Sequence, residues 1–203
     1  MRVYCSQPED RVMTALPKKK LLLSEEDYLA GEEGSDVRHE YLAGEVYAMS
    51  GASARHNLIC GNLFAALHRH LAGGPCRVFM SDLKVRLKVL EDVYYYYPDV
   101  MVACRPEDNA SHYREQPCVI VEVMSETTER IDRREKALAY REIPALEEYV
   151  LIGQDKPEII IYRRADGWAS ERPTPDGQLT LKCLSFSMPV AALYSGTDVI
   201  SAT

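Results

Sequence analysis

The sequence lacks the long apolar runs and the short motifs that identify several large classes of protein. No stretch approaches the roughly 18 consecutive apolar residues of a transmembrane helix. Residues 1–20 lack the apolar core of a secretory signal peptide, so we predict a cytoplasmic protein without a membrane segment. The GxSxG nucleophile motif and the GxxxxGKS phosphate loop are also absent, which argues against a serine hydrolase and against an NTPase.

Cysteine is scarce and widely spaced. The six cysteines include no CxxC pair and no Cys/His cluster, so the spacing of a structural zinc site is missing. Their number is also low for a disulfide scaffold. We therefore expect buried or free thiols in a reducing compartment.

Acidic residues outnumber basic ones. The 203-residue chain carries 24 Lys and Arg against 31 Asp and Glu, for a formal net charge of −7. This balance argues against a protein that binds nucleic acid over its whole surface, although it permits a local basic groove. The length and the 46% hydrophobic content suit one globular domain, which we place at residues 21–203, after a flexible N-terminal arm at residues 1–20.

The order of the hydrophobic patterns predicts an α/β fold. Residues 53–71 repeat apolar side chains every three or four positions, which is typical of an amphipathic helix, and residues 40–49 indicate a β-hairpin that turns at Gly44. A capping-box pattern begins a short helix at Ser24. We expect a central mixed β-sheet flanked by helices, with an added β-hairpin region. The other predicted segments are strands at 76–80, 83–90, 94–104, 118–124, 148–152 and 158–162, and a helix from Thr127 or Thr128 to Glu142.

Glu122 is a carboxylate inside the most hydrophobic predicted strand, residues 118–124. An ionised carboxylate is almost never fully buried without a partner, because its desolvation must be offset. A cation, a metal ion or hydrogen-bond donors at a functional site would supply that offset. The structural alternative is a salt bridge to an arginine of the next helix, or a strand end that reaches solvent.

A second carboxylate, Asp99, follows Pro98 at the start of an apolar run. Taken alone it is typical of a turn. Two carboxylates on neighbouring strands, however, can share one hard divalent cation, and Mg²⁺ prefers one or two carboxylates together with several waters. Such an ion polarises a phosphodiester and lowers the pKa of a bound water.

With these two acids the chain resembles the Uma-type family of the PD-(D/E)xK nuclease superfamily, which has a restriction-endonuclease-like fold. The resemblance covers about residues 22–195 and rests on an ordered set of motifs. These are residues 39–45, Met49-Ser50, His56, residues 81–85, residues 97–100, residues 122–125, Asp132 with Lys136 and Tyr140, and residues 148–150.

The resemblance implies Mg²⁺- or Mn²⁺-dependent cleavage of DNA, with Asp99 and Glu122 holding the metal. In the superfamily a lysine two residues after the glutamate positions the attacking water, and here Met124 occupies that position. In this family a lysine on the following helix looks like the substitute, and Lys136 matches it. Lys84, on the charged side of a neighbouring predicted strand, is the second candidate.

Two further residues match the family's motifs but have ordinary structural explanations as well. Glu40 matches a family acid and would add a third carboxylate, or it is a surface strand residue. His56, near the start of the long helix, either contacts phosphate or helps to cap the helix.

A local basic patch follows Glu122. Its three arginines, which would meet the DNA backbone, are Arg130, Arg133 and Arg134. The alternative is that they pair with the acidic residues of their own helix.

The leading hypothesis is therefore a metal-dependent DNA endonuclease, and the alternative is a catalytically inert nuclease-fold module for binding or assembly. RNA or a structured DNA would use the same site, and the sequence does not separate these substrates. A homodimer would suit the two strands of duplex DNA, an expectation that rests partly on analogy between folds.

Overall fold

The computed structural model describes residues 22–126 and 128–199, so the predicted arm at 1–20 lies outside the described residues. The helical segments are α1 (Glu25–Glu33), α2 (Ala54–His70), a π-helical segment (Ile131–Lys136), α3 (Ala137–Arg141), α4 (Val190–Leu193) and two 3-10 turns (Arg164–Asp166 and Lys182–Leu184). The strands are β1 (His39–Leu42), β2 (Glu45–Ala48), β3 (Arg77–Met80), β4 (Lys84–Val89), β5 (Asp92–Tyr96), β6 (Val100–Ala103), β7 (Tyr113–Arg114), β8 (Pro117–Met124), β9 (Glu148–Gly153), β10 (Ile159–Arg163), β11 (Ser170–Glu171), β12 (Gln178–Leu181) and β13 (Phe186–Pro189).

The strands form two mixed sheets and one separate pair. The six-stranded sheet has the order β11-β10-β9-β8-β6-β3, and the five-stranded sheet has the order β2-β1-β5-β4-β7. Strands β8 and β9 are parallel and are joined through the π-helical segment and α3, whereas β12 and β13 form an antiparallel pair. The predicted α/β class, with central mixed sheet structure flanked by helices, is confirmed.

Strand β8 is buried on both faces, as its continuous apolar sequence predicts. Val121 and its odd-numbered neighbours pack in a cluster with Leu63 of α2. Ile120 and Met124 point to the opposite face and pack with Tyr140 of α3. The side chain of Glu122 belongs by alternation to this second face, which places it beneath the π-helical segment and α3.

Capping side chains and turn residues set the bounds of the first elements where the sequence predicts them. The Oγ atoms of Ser24 and Ser53 accept the backbone N–H groups of Asp27 and His56 at the starts of α1 and α2. Ala43 and Gly44 have positive φ values of 52° and 94°, which is the backbone of a tight β-hairpin turn between β1 and β2.

The predicted strand at 94–104 is wrong, because the chain forms two strands there in different sheets. Strand β5 ends at Tyr96 and pairs with β1 and β4, whereas β6 begins at Val100 and pairs with β3 and β8. Pro98 lies between them and has no N–H to donate to a sheet ladder. Because of this break, the chain leaves the five-stranded sheet after Tyr96, and Asp99 lies directly before the first residue of β6 in the six-stranded sheet.

The expectation of free thiols is also wrong for one pair of cysteines. Cys76 precedes β3 and Cys104 follows β6, and the antiparallel register of these strands brings the two residues together in a disulfide. Among the described residues, Cys60, Cys118 and Cys183 are free. Periodicity predicts the strands but not this pairing, because strand order is a tertiary property.

The start of the helix after β8 differs from the predicted one. The backbone N–H of Thr128 donates to Ser125 Oγ at 3.3 Å, and the N–H of Glu129 donates to the Ser125 carbonyl oxygen at 2.9 Å. Ser125 therefore performs the capping that the sequence assigns to Thr127 or Thr128. Thr127 itself lies outside the described residues.

Within the described residues, every helix is either too short or too polar to cross a membrane.

Candidate active site

Glu122 lies at the centre of a buried ionic cluster between the two sheets. It is 3% exposed. Its Oε1 atom lies 3.2 Å from Lys136 Nζ and accepts a 2.8 Å hydrogen bond from the hydroxyl of Tyr140. The partner of this buried strand carboxylate is therefore a lysine and a tyrosine of the following helix, rather than an arginine.

Lys136 ends the π-helical segment and is buried among acids. Its Nζ atom lies 3.0 Å from Glu40 Oε1 and 3.7 Å from Asp132 Oδ1, in addition to Glu122. It also lies 5.5 Å from the centre of the Tyr96 ring, within reach of a cation–π interaction. One ammonium group thus links β1, β8 and its own helical segment.

Asp99 reaches the same region from the junction between β5 and β6. Its Oδ2 atom accepts a 2.6 Å hydrogen bond from the backbone N–H of Val123, and His56 Nε2 lies 3.2 Å from the same oxygen. In the register of β6 and β8, Val100 is paired with Val121, so the next positions are Asp99 and Glu122. Asp99 itself lies just outside β6, and its charge is among those that act on Glu122.

The charges of the cluster shift the pKa values of its members. Burial is the largest cause that raises the pKa of Glu122 well above its ordinary value; Lys136 opposes this increase, while Asp99, Asp132 and Glu40 add to it. Burial disfavours the charged form of Lys136, but Glu122, Glu40 and Asp132 outweigh it, so the pKa of Lys136 is also raised well above its usual range. Lys136 is therefore a charged ammonium throughout the neutral range.

The pKa values of Asp132 and His56 are also shifted by burial and by the neighbouring charges. Burial raises the pKa of Asp132, with Lys136 acting in the opposite direction. Burial lowers the pKa of His56, but the hydrogen bond to Asp99 and the charge of that residue outweigh burial, so the net shift is upward. Four acids, Glu40, Asp99, Glu122 and Asp132, thus lie around few cations, and a bound metal ion would favour their ionised forms.

The donor set fits a hard divalent cation. Carboxylate oxygens are the protein ligands that Mg²⁺ prefers. Glu40 Oε1 is buried and makes no hydrogen bond with a described residue, although it lies close to Lys136. A buried oxygen without a hydrogen-bond donor is costly unless a cation or a water satisfies it.

Lys84 is not brought to this cluster. On β1, Tyr41 packs with Tyr28 of α1, whereas Glu40 points to the other face of the sheet. The Lys84 ammonium lies on the α1 side, 6.0 Å from the centre of the Tyr28 ring, and donates a 3.3 Å hydrogen bond to Tyr97 Oη. Burial lowers the pKa of Lys84 there.

Two of the three arginines after Glu122 are engaged in ion pairs. Arg130 contacts Glu135 at 2.9 Å, and Arg133 contacts Glu129 at 2.7 Å and Glu158 at 2.9 Å. Arg134 is exposed and makes no ion pair with a described residue. Arg130 and Arg133 thus pair with acidic residues, including those of their own helix, which is the alternative to contact with a DNA backbone.

Sequence reasoning singled out Asp99 and Glu122 as candidate metal ligands but left three of their neighbours without a role. Asp132 lies four residues before Lys136, and Tyr140 lies four residues after it. This spacing places the three side chains on one side of a helix, and it is the signal in the sequence that could have identified them. Cys60, one helical turn after His56, has the same spacing. A pattern of this kind is informative only when the partner strand is known.

We expect Tyr140→Phe to lower the free energy of unfolding by about 1.5–3 kcal/mol, since it removes a hydrogen bond to a buried charged group. Urea denaturation measures this change. Tyr94→Phe is the matched control, because the hydroxyl of Tyr94 makes no hydrogen bond with a described residue, and a change within about 0.5 kcal/mol is expected there. Equal losses in both variants would show that the Tyr140 hydroxyl does not stabilise Glu122.

Comparison with known proteins gives consistent matches over most of the chain. The family Uma2, described as "Putative restriction endonuclease", matches residues 25–191. An uncharacterized protein, slr1290, of Synechocystis sp. PCC 6803 is 37% identical over 177 residues, which cover 86% of this chain and 92% of that protein. A second Synechocystis protein, sll1609, also uncharacterized, is 38% identical over 136 residues, which cover 66% of this chain and 76% of that protein.

A solved structure has a similar fold. It is a crystal structure of a putative nuclease belonging to DUF820 from Anabaena variabilis, with a TM-score of 0.68 and 15% sequence identity, and the match covers 84% of this chain and 96% of the other. At this identity the likeness concerns the fold alone. It confirms the predicted restriction-endonuclease-like architecture.

Proposed function

Because this chain belongs to the Uma2 family, we propose that it is a metal-dependent endonuclease that hydrolyses DNA phosphodiester bonds. The observation that carries the proposal is that Glu122, in contact with Lys136, and Asp99, hydrogen-bonded to the backbone of Val123, come from distant parts of the sequence to the same end of β8. Two acids and an ammonium are the groups that phosphoryl chemistry uses, because negative charge develops on phosphate oxygens in the transition state.

Asp99 and Glu122 would hold the metal, and Glu40 is the candidate third ligand because its buried Oε1 lies beside Lys136 in the same cluster. When bound, Mg²⁺ or Mn²⁺ would polarise the phosphodiester and lower the pKa of a water. The hydrogen bonds from Val123 and Tyr140 fix the orientation of Asp99 and Glu122 before any substrate arrives.

Lys136 would act as a fixed positive charge. Its raised pKa keeps it protonated at neutral pH, so it suits an electrostatic role toward a phosphate oxygen or an attacking water and does not suit the role of a general base. It occupies the cluster from a neighbouring helix, which supports its assignment as the substitute for the lysine that Met124 replaces. Lys84 is the weaker candidate because it lies on the other face of the five-stranded sheet.

DNA as the substrate, a homodimer and a cytoplasmic location belong to the same proposal. Arg134 is the arginine best placed to contact a DNA backbone, since Arg130 and Arg133 already have acidic partners. His56 would orient Asp99 through their contact, rather than bind phosphate directly.

The test is cleavage of supercoiled plasmid with Mg²⁺ or Mn²⁺ by the wild type and by Glu122→Gln. We expect the substitution to reduce the rate at least about 100-fold, because it removes a charged metal ligand while keeping the shape of the side chain. Glu91→Gln is the control, since Glu91 is exposed on a turn outside the cluster and its variant should cleave at the wild-type rate.

Equal cleavage by the wild type and Glu122→Gln would reject the site. No cleavage of plasmid, single-stranded DNA or RNA by the wild type with either metal would favour the inert binding or assembly module instead. Cleavage of RNA alone would retain the site and correct the substrate.

A further inference from the structure

A second set of metal-binding side chains includes Asp99 but not Glu122. One potential ligand atom from each of His56, Cys60 and Asp99 lies within 4.8 Å of the others. We propose that these three residues form a binding site for a thiophilic divalent cation such as Zn²⁺, and that its occupation inhibits the nuclease by removing Asp99 from the catalytic metal. The inhibition rests on the proposed function, whereas the binding site does not.

The helix backbone organises two of the three ligands in advance. Ser53 caps α2 by accepting the N–H of His56, which fixes the first turn of the helix. Cys60 follows one turn later, so its side chain lies on the same side of the helix as His56. Cys60 Sγ is 3.6 Å from His56 Nδ1, and His56 Nε2 is 3.2 Å from Asp99 Oδ2. One cation binds only one of these two ring nitrogens, and with one ligand atom per residue the three atoms still lie within 4.8 Å of one another.

Burial differs among the three ligands in a way that suits a metal site. Cys60 is 2% exposed and packs in the apolar cluster with Ile59 and Leu63. His56 and Asp99 are half-buried, so a cation can enter from their side. An apolar wall behind a set of polar ligands strengthens the electrostatic attraction of an ion, because it excludes water.

The donor atoms distinguish this site from the acidic cluster around Glu122. Imidazole nitrogen and thiolate sulfur favour Zn²⁺ over Mg²⁺, whereas Mg²⁺ is held by oxygen ligands. Three protein ligands with an open fourth position are a common arrangement for Zn²⁺. Binding displaces the thiol proton of Cys60 to solvent, and the metal–thiolate bond replaces the S–H bond.

Asp99 is common to both sets of ligands, and this sharing is the origin of the expected inhibition. A carboxylate that is drawn toward His56 and Cys60 on one side is less available to an ion held by Glu122. Zn²⁺ and Mg²⁺ should therefore compete for Asp99, even though they prefer different ligands otherwise, and this competition should be visible in the cleavage rate. Zn²⁺ would act as an inhibitor that excess Mg²⁺ relieves.

Co²⁺ is the probe for the binding site, because a cobalt–thiolate bond gives a charge-transfer absorption in the near ultraviolet. We expect this band in the wild type with its disulfide intact, and we expect Cys60→Ser to abolish it. Cys118→Ser and Cys183→Ser are the matched controls, since they remove the other free thiols among the described residues and should keep the band. Zn²⁺ affinity, measured by competition with a chromophoric chelator, should weaken about tenfold or more in Cys60→Ser.

A band that survives in Cys60→Ser, or that disappears in a control variant instead, would overturn the site. Cys60→Ala, checked by circular dichroism and thermal melting, separates the loss of a ligand from the loss of folding. His56→Ala should also remove the band. Zn²⁺ inhibition, expressed relative to the activity of each variant in Mg²⁺ alone, should weaken in Cys60→Ser, and unchanged inhibition would overturn the inhibitory role.

Glu122→Gln distinguishes this inference from the proposed function. It should lose plasmid cleavage and keep the cobalt band, because Glu122 is not among the three ligands. A Cys60-dependent band in a protein that cleaves no nucleic acid would retain the binding site and reject the nuclease. Cleavage that depends on Glu122, without any Cys60-dependent band, would do the reverse.

Discussion

Replacing Lys136 with methionine should lower the free energy of unfolding by about 3–5 kcal/mol at neutral pH. The substitution leaves the buried carboxylates of Glu122, Glu40 and Asp132 without the ammonium that lies within 4 Å of each. The desolvation cost of these acids is then no longer offset by a nearby positive charge. Removing one partner of a buried ion pair therefore costs more free energy than the intact pair contributes. Nuclease activity should fall together with stability, and urea denaturation and plasmid cleavage measure the two effects.

The loss of stability should be smaller at pH 5 than at pH 7. Lys136 lowers the pKa of Glu122, so its removal raises that pKa further above the unfolded value. A carboxyl group with a raised folded-state pKa takes up a proton more readily when folded, and falling pH therefore favours the folded state. The wild-type ammonium stays charged over this range because its pKa is raised, so its own contribution is constant between pH 5 and 7.

Two further variants make the explanation specific. Lys136→Met combined with Glu122→Gln should be less destabilised than the sum of the single changes, because the uncompensated charge is removed with its partner. Arg134→Met is the surface control on the same helical segment, with an expected change within about 0.5 kcal/mol. A double variant whose loss equals the sum, or a loss that grows toward pH 5, would contradict buried charge as the cause.

Replacing Arg163 with methionine should cost a similar 3–5 kcal/mol for a structural reason alone. Arg163 and Glu148 are 2% and 1% exposed, and their side chains form a 2.7 Å ion pair between β10 and β9. Arg163 also donates to the Thr180 carbonyl at 2.9 Å, and so connects β10 with β12. Methionine fills much of the same volume but supplies neither the charge nor the donors, and urea denaturation measures the loss.

Arg172→Met is the matched control for this prediction. Arg172 contacts Glu158 at 2.7 Å, but its side chain is exposed, and an exposed ion pair contributes about 0–1 kcal/mol. Arg163→Met with Glu148→Gln should be less destabilised than the sum of the single changes, because the uncompensated charge of Glu148 is removed, while the amide oxygen still accepts one of the backbone N–H groups of Lys182 and Cys183. Similar losses for Arg163→Met and Arg172→Met would show that burial does not determine the strength of these pairs.

The order of most elements and the two candidate metal ligands, Asp99 and Glu122, could be identified from local pattern. The apolar run around Glu122 required a buried strand, and a carboxylate there required a partner, because ionised groups are costly to bury. The hairpin at Gly44 and the caps at Ser24 and Ser53 also follow from local chemistry. Residue patterns identify such features because alternation and capping depend on neighbours in sequence.

The partner of Glu122 was not predictable from these patterns. An arginine and a lysine of the next helix were equally available by sequence, and the π-helical segment decides which side chain reaches β8. The same is true of Lys84, whose face of β4 depends on the position of the five-stranded sheet.

The sequence alone determined that this protein has an α/β core and a carboxylate within a buried strand, whereas the break before Asp99 emerged from the structure. Only the tertiary structure decided that Lys136 contacts Glu122, that Asp99 accepts a hydrogen bond from the adjacent Val123, that His56 and Cys60 approach the same aspartate, and that Cys76 pairs with Cys104. The physical reason is that hydrophobic periodicity and local backbone conformation depend on residues that are close in sequence, so they can be recognised without the fold. The convergence of charges and thiols depends on strand order and on the helix that packs across the sheet.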